Sequence, residues 1–149
     1  MQNKGGLFEM TKHEYYTYTK EELLNKGAKL PVIVMEDNAA VFQSMAEEMT
    51  EEIKKNNAEG KKTVFICPVG PVGQYPYFVE MVNKEKISLK NVWFINMDEY
   101  LDDDKKWVPE THPLSFRGFM NRTVYSQIDP ELVMPEEQRV FPDPENVEY

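Results

Sequence analysis

An α/β fold, a Rossmann-like parallel sheet with flanking helices, is what the sequence predicts, and three features predict it. Thr63 to Cys67 reads as a short buried strand, and Val92 to Ile95 shows no alternation of apolar and polar residues, which is the pattern of a strand covered on both faces in a parallel sheet. Between them lie a Gly/Pro-containing loop and a helical stretch, so the segment reads as one βαβ unit. Ahead of them, after Asp37, runs an amphipathic stretch of the kind that packs on such a sheet.

Residues 1 to 29 read as an N-terminal arm, and 30 to 149 as the N-terminal part of an α/β domain. His13 to Tyr18 is rich in tyrosine, which packs such an arm onto its domain. Thr19 followed by Glu22 has the form of a capping box and opens a short helix through Leu23 and Leu24 that Gly27 can close. Leu30 to Met35, with its β-branched centre Val32, Ile33 and Val34, reads as the first core strand. Asp37 or Asn38 can then cap a long helix, in which Phe42, Met45, Ala46, Met49 and Ile53 recur at spacings of three and four. Its Glu47, Glu48, Glu51, Glu52, Lys54 and Lys55 form a solvated face.

Thr63 to Cys67 is the next strand, and the loop Pro68-Val69-Gly70-Pro71-Val72-Gly73 follows at once. Pro76 suits a first helical turn, and Phe78, Val79, Met81 and Val82 supply the apolar positions of the helix behind it. Beyond Tyr100 comes a charged turn, Asp102 to Lys106, whose three consecutive aspartates are poorly placed to converge on one metal ion. His112-Pro113 precedes a further helix, Leu114 to Tyr125, with Phe116, Phe119, Met120 and Val124 on its apolar face. Pro130, Pro135, Pro142 and Pro144 then keep elements short, apart from an extended piece near Val140 and Phe141. Three strands make a small sheet whose outer edge needs a cover. The chain therefore reads as the front part of a larger domain.

Composition narrows the function. A chain of 149 residues with 41% hydrophobic and 29% charged residues is globular. Its formal net charge of −9, with no basic stripe, opposes a nucleic-acid or anionic-membrane surface. Cys67 is the single cysteine, so no internal disulfide is expected, and no Cys/His cluster has zinc-site spacing. No cofactor or metal is expected. No apolar run approaches the ~20 residues that cross a bilayer, and the chain reads as a soluble cytoplasmic protein.

The chemistry gathers at Asn91 to Tyr100, where an apolar strand ends in adjacent carboxylates, Asp98 and Glu99. Ligands of parallel sheets collect beyond the carboxyl ends of the strands. A carboxylate there can serve as a general base; it can equally cap a turn or pair with Lys105 or Arg117, and residue types alone leave both open.

The stretch Asn96-Met97-Asp98-Glu99-Tyr100, followed by His112-Pro113-Leu114-Ser115 and the Phe119-Met120 helix, resembles glucosamine-6-phosphate deaminases, also called isomerases. The resemblance is strongest from Thr63 to about Asp129. It implies that Asp98 is the catalytic base, which moves a proton between C2 and C1 of an open-chain amino sugar. It also implies a sugar or amino-sugar phosphate as ligand, with Gly70, Gly73, Glu99, Tyr100 and His112 shaping its site. Charge and composition leave no nucleic acid or membrane as partner, and a homo-oligomer is one possible assembly.

Two departures qualify that expectation. Family members carry a Pro-Thr-Gly-Ser-Thr-Pro type of phosphate loop. Here Val69 and Val72 replace hydroxyl donors and Pro71 removes a backbone N–H. The family's Asp-Gly-His-Ile-Ala-Phe-Asn-Glu-Pro type of segment, which carries the ring-opening histidine, has no counterpart. A truncated chain, inactive by itself, is the expectation. The alternatives are a noncatalytic sugar-binding or regulatory module on this scaffold, or a related enzyme acting on a nonphosphorylated sugar.

Overall fold

A computed structural model describes residues 14–25 and 32–145. By its contacts the chain divides into two units, Met1–Val34 and Met35–Tyr149. In the first, a 3-10 turn at Glu14–Thr17 precedes helix α1 (Lys20–Asn25). The capping box is present: the Thr19 backbone N–H donates to Glu22 Oε2 (2.8 Å) and the Glu22 N–H to Thr19 Oγ1 (3.3 Å). Gly27, expected to close this helix, lies outside the described residues.

The strand expected over Leu30 to Met35 is not formed in its described part. Residues 32–35 carry no strand, and Val32, Ile33 and Val34 are exposed. β-branched residues mark a fit to a pleated, half-buried surface, and this run has no pairing partner among the described strands.

The second unit holds the sheet. Helix α2 (Asn38–Ala58) starts where Asp37 accepts the Ala40 N–H (2.8 Å). Strand β1 (Thr63–Cys67) leads through a loop to α3 (Gln74–Glu85), which ends at Lys86 in the left-handed conformation (φ 54°). Strand β2 (Val92–Asn96) returns parallel to β1 in the register Thr63 to Val92 through Cys67 to Asn96. Helix α4 (Phe116–Thr123) and a 3-10 turn (Tyr125–Gln127) follow. Strand β3 (Arg139–Val140), the extended piece expected there, then pairs parallel with β2, giving the order β1-β2-β3.

One core forms on one face of this sheet. Ala46 and Ile53 of α2, Tyr75, Phe78 and Val82 of α3, and Met120 of α4 are buried in one cluster with Cys67, Val92 and Phe94. Phe94 is its centre, with ring centroids 5.9 Å from Phe65, 5.9 Å from Phe78 and 6.2 Å from Tyr125. These spacings are typical of favourable aromatic pairs.

The expectation of strands covered on both faces is corrected here. Burial along β1 and β2 alternates: Thr63, Cys67, Val92, Phe94 and Asn96 are buried, whereas Val64, Ile66 and Ile95 are exposed. The helices pack on the first face, whereas on the second Val64, Ile66 and Ile95 are exposed and Lys62 Nζ lies 5.6 Å from the Trp93 ring centroid.

Candidate functional site

The two connections that leave the carboxyl ends of β1 and β2 start side by side. Cys67 and Asn96 are register partners, and the Met97 N–H donates to Cys67 O (3.1 Å) one residue beyond the strand. The Pro68–Gly73 loop and the Met97–Tyr100 segment therefore share one end of the sheet. Asn96 holds that end, its buried amide donating from Nδ2 to Val140 O (2.9 Å).

The adjacent acids have opposite surroundings. Asp98 is exposed, and no hydrogen bond or ion pair joins it to another described residue. Glu99 is spent inside the protein, its side chain 1% exposed. Its Oε1 accepts N–H bonds from Tyr100 (2.8 Å) and Phe116 (2.9 Å). Its Oε2 accepts from the Arg117 N–H (2.8 Å), Arg117 Nε (3.2 Å) and the Ser115 hydroxyl (3.2 Å). Burial alone would raise the Glu99 pKa, but the N–H bonds of Arg117, Phe116 and Tyr100 and the Ser115 hydroxyl outweigh it and hold the group below the ordinary carboxylate value. Glu99 thus completes the N-terminus of α4, where Ser115 also accepts the Gly118 N–H (3.1 Å).

Arg117 ties this corner further. Its guanidinium lies 4.2 Å from the Trp107 ring centroid, and its Nη2 donates to Val108 O (2.8 Å). Sequence reading named Arg117 as one partner open to the acids but did not foresee Ser115 and Gly118 as parts of the corner. A serine directly before the helix was the available signal for the first. For Gly118 there was no local signal, because a β-carbon there would collide with the Glu110 backbone, eight residues away.

Tyr100 packs edge-to-face on Phe116 (5.1 Å) and accepts the Val108 N–H at its carbonyl (3.1 Å). His112 is exposed and turned back on its own turn, with Nδ1 accepting the Leu114 N–H (3.2 Å). No described contact joins His112 to Asp98. Asp102 closes the charged turn by accepting the N–H groups of Asp104 and Lys106 (both 2.9 Å). Among the described residues no group of three or more His, Cys, Asp or Glu side chains could hold a metal ion.

The glycines of the other loop serve different ends. Gly70 has φ 146°, a conformation that favours glycine, and the Gly70-Pro71 peptide is cis. At Gly73 a β-carbon would enter the Phe42 ring of α2, so this glycine allows α3 to start against α2. Loop carbonyls are tied to α3: Pro68 O accepts from the Tyr75 hydroxyl (2.8 Å) and Pro71 O from Gln74 Nε2 (2.9 Å). Beneath the loop, burial pushes the Cys67 thiol up to about 12, which leaves it unreactive at neutral pH.

Comparison with known proteins bears on what this end of the sheet does. No family model matches the chain. It is 34% identical over 101 residues to a glucosamine-6-phosphate deaminase of Phocaeicola vulgatus, covering 66% of this chain and 36% of that protein. It is 31% identical over 113 residues to the same-named protein of Bacteroides fragilis, covering 74% and 39%, and 32% identical over 100 residues to that of Caenorhabditis elegans, covering 65% and 36%. The chain spans less than two-fifths of the length of these relatives. The solved structure of a monomeric glucosamine-6-phosphate deaminase of the NagB superfamily has the same fold, with a TM-score of 0.64 and 20% identity, covering 79% of this chain and 44% of that one. Among the described residues no helix is long and apolar enough to cross a membrane.

Proposed function

Because two-thirds or so of the chain is similar in sequence to part of the glucosamine-6-phosphate deaminases and its α/β fold matches part of one, we propose that it carries one portion of such an active site. Asp98 is the base. It takes the proton from C2 of the open-chain amino sugar and returns it to C1, so that the C2 amine becomes an imine. Water adds at C2, ammonia leaves, and fructose 6-phosphate remains. One carboxylate holding one proton above the sugar plane suffices for the transfer.

The observation that supports this reading is the division of labour between neighbours. Asp98 is exposed beyond the carboxyl end of β2 and has no described partner, while Glu99 is fully engaged at α4. Glu99 therefore acts as a positioning residue that fixes the backbone beside Asp98, and Tyr100 and His112 stand at the rim. Gly70 and Gly73 shape the loop where a phosphate would lie, although Pro71 and the two valines leave it poor in donors. The cytoplasm, a reducing compartment, suits the lone buried thiol.

Ammonia release from glucosamine 6-phosphate by this chain tests the proposal. No turnover is expected, since Val69, Pro71 and Val72 leave the loop where a phosphate would lie poor in donors. Turnover that Asp98→Asn abolishes would overturn the inactivity while supporting the base; turnover that survives Asp98→Asn would overturn the assignment.

A noncatalytic sugar-binding module is the second reading, favoured by Val69 and Val72 in the loop. Calorimetry with nonphosphorylated sugars and sugar phosphates separates them. A module of that kind holds a sugar without requiring the phosphate.

A further inference from the structure

Where α4, the loop before it and β3 meet, the second unit holds a pocket of about 260 Å³. Trp107 and Phe141 give it apolar walls, and two guanidiniums, two carboxylates and an amide reach the same space. Neither Asp98 nor the Pro68–Gly73 loop lines it. Aromatic surface with a few placed polar groups is the makeup of a small-molecule site, and the volume lies just below the roughly 300–1,000 Å³ usual for drug-sized ligands.

The charges divide into an engaged pair and an open one. Arg117 donates through Nε to Glu99 and through Nη2 to Val108 O, and its Nη1 lies 3.9 Å from Glu110 Oε1. The other Glu110 oxygen accepts Asn121 Nδ2 (2.6 Å). Arg139 donates from Nε and Nη2 to Met134 O (3.2 and 2.7 Å) and lies 4.8 Å from the Tyr125 ring centroid, so its guanidinium fork is held in place. Among the described residues no carboxylate pairs with Arg139, and no group pairs with the side chain of Glu136, which opens the 3-10 turn Glu136–Gln138. Opposite charges thus line one cavity without meeting.

That arrangement selects among ligands. A lone anion would meet the Glu110 and Glu136 carboxylates, and a lone cation would meet both guanidiniums, so a ligand of single charge loses at one end what it gains at the other. A molecule carrying both charges gains at both ends. A guanidinium fork matches the two oxygens of a carboxylate, and an arginine already held by Met134 and Tyr125 needs little ordering when it binds.

We propose that this pocket binds a free α-amino acid with an apolar side chain, its carboxylate on Arg139, its ammonium on Glu136 and its side chain against Phe141 and Trp107. The ligand is distinct in chemistry from the sugar phosphate proposed for the Asp98 end of the sheet.

Calorimetry of the chain with L-leucine tests it, beside two analogues that each lack one charge, isocaproate and isoamylamine. The expected result is saturable binding of L-leucine and at least tenfold weaker binding of either analogue. A 15N titration should show L-leucine shifting the Trp107 indole N–H, which donates to Pro142 O (2.7 Å). Glu136→Gln and Arg139→Gln should each weaken L-leucine binding at least tenfold, whereas Glu137→Gln, exposed on the same turn and outside the pocket, should leave it unchanged. Should Arg139→Gln fail to fold for want of its bonds to Met134, the exposed Glu136→Gln decides. Absence of L-leucine binding, an analogue that binds as tightly, or a Glu136→Gln variant that binds L-leucine like the unaltered chain would overturn the proposal. A Trp107 indole that answers to glucosamine 6-phosphate and not to L-leucine would overturn it as well, assigning the pocket to the sugar.

Discussion

Glu99 Oε2 accepts two hydrogen bonds from one residue, from the Arg117 backbone N–H at 2.8 Å and from its Nε at 3.2 Å. This pairing joins the segment leaving β2 to the start of α4 across eighteen residues of sequence. Removing the charge while keeping the shape should be costly. Glu99→Gln is expected to lower stability by about 1.5–3 kcal/mol, the range for hydrogen bonds to charged groups. Asp98→Asn, at an exposed position one residue away, should change it by less than about 0.5 kcal/mol. Urea unfolding of the two variants checks the contrast.

The same group sets an acid limit. Its folded-state pKa lies below that of an ordinary glutamate, so its contribution is present above the unfolded pKa and is lost as pH falls through the folded one. Stability should therefore decline with falling pH below about 4.5, and Glu99→Gln should make that decline shallower. Equal slopes in the two proteins would remove Glu99 from the account. Asp129, lowered by the Glu131 backbone N–H and by Lys86, acts in the same direction and remains in both proteins.

Gly70 and Gly73 should respond to alanine for separate reasons. Around Gly70 there is open space, so Gly70→Ala costs only the strain of its backbone conformation, of order 1–3 kcal/mol. Gly73→Ala drives a methyl into the Phe42 ring and should cost about 1–3 kcal/mol by overpacking. Adding Phe42→Ala is expected to relieve the collision at Gly73 and to give no relief at Gly70. A double-mutant cycle on thermal unfolding measures the coupling.

Cys67 is buried, with its thiol raised to about 12. Its reaction with a disulfide reagent at neutral pH should follow opening of the structure and accelerate sharply in denaturant. Rapid modification of the folded protein would show that the base of the loop is open to solvent.

The legible parts of the fold were those fixed by near neighbours in sequence. Thr19 and Glu22 are three residues apart, Asp37 directly precedes its helix, and β1 and β2 are short apolar runs bounded by polar or turn residues. Val32 to Met35, the described part of the expected first strand, misled because a β-branched run becomes a strand only beside a partner. Val92 to Ile95 misled because an unbroken apolar run does not show which of its faces is covered, and the described structure covers one. In the site, Asp98 and Glu99 looked alike as residue types. What separates them is Ser115, Phe116 and Arg117, brought in by tertiary folding from a distant helix that local sequence does not place.

A 15N chemical-shift titration of the chain with glucosamine 6-phosphate tests the proposed site most directly. The account predicts perturbations gathered at the amides of Val69, Gly70, Val72 and Gly73 and of Met97 to Tyr100, at the shared carboxyl end of β1 and β2. Perturbations confined to other surfaces, or none at saturating sugar phosphate, would contradict it.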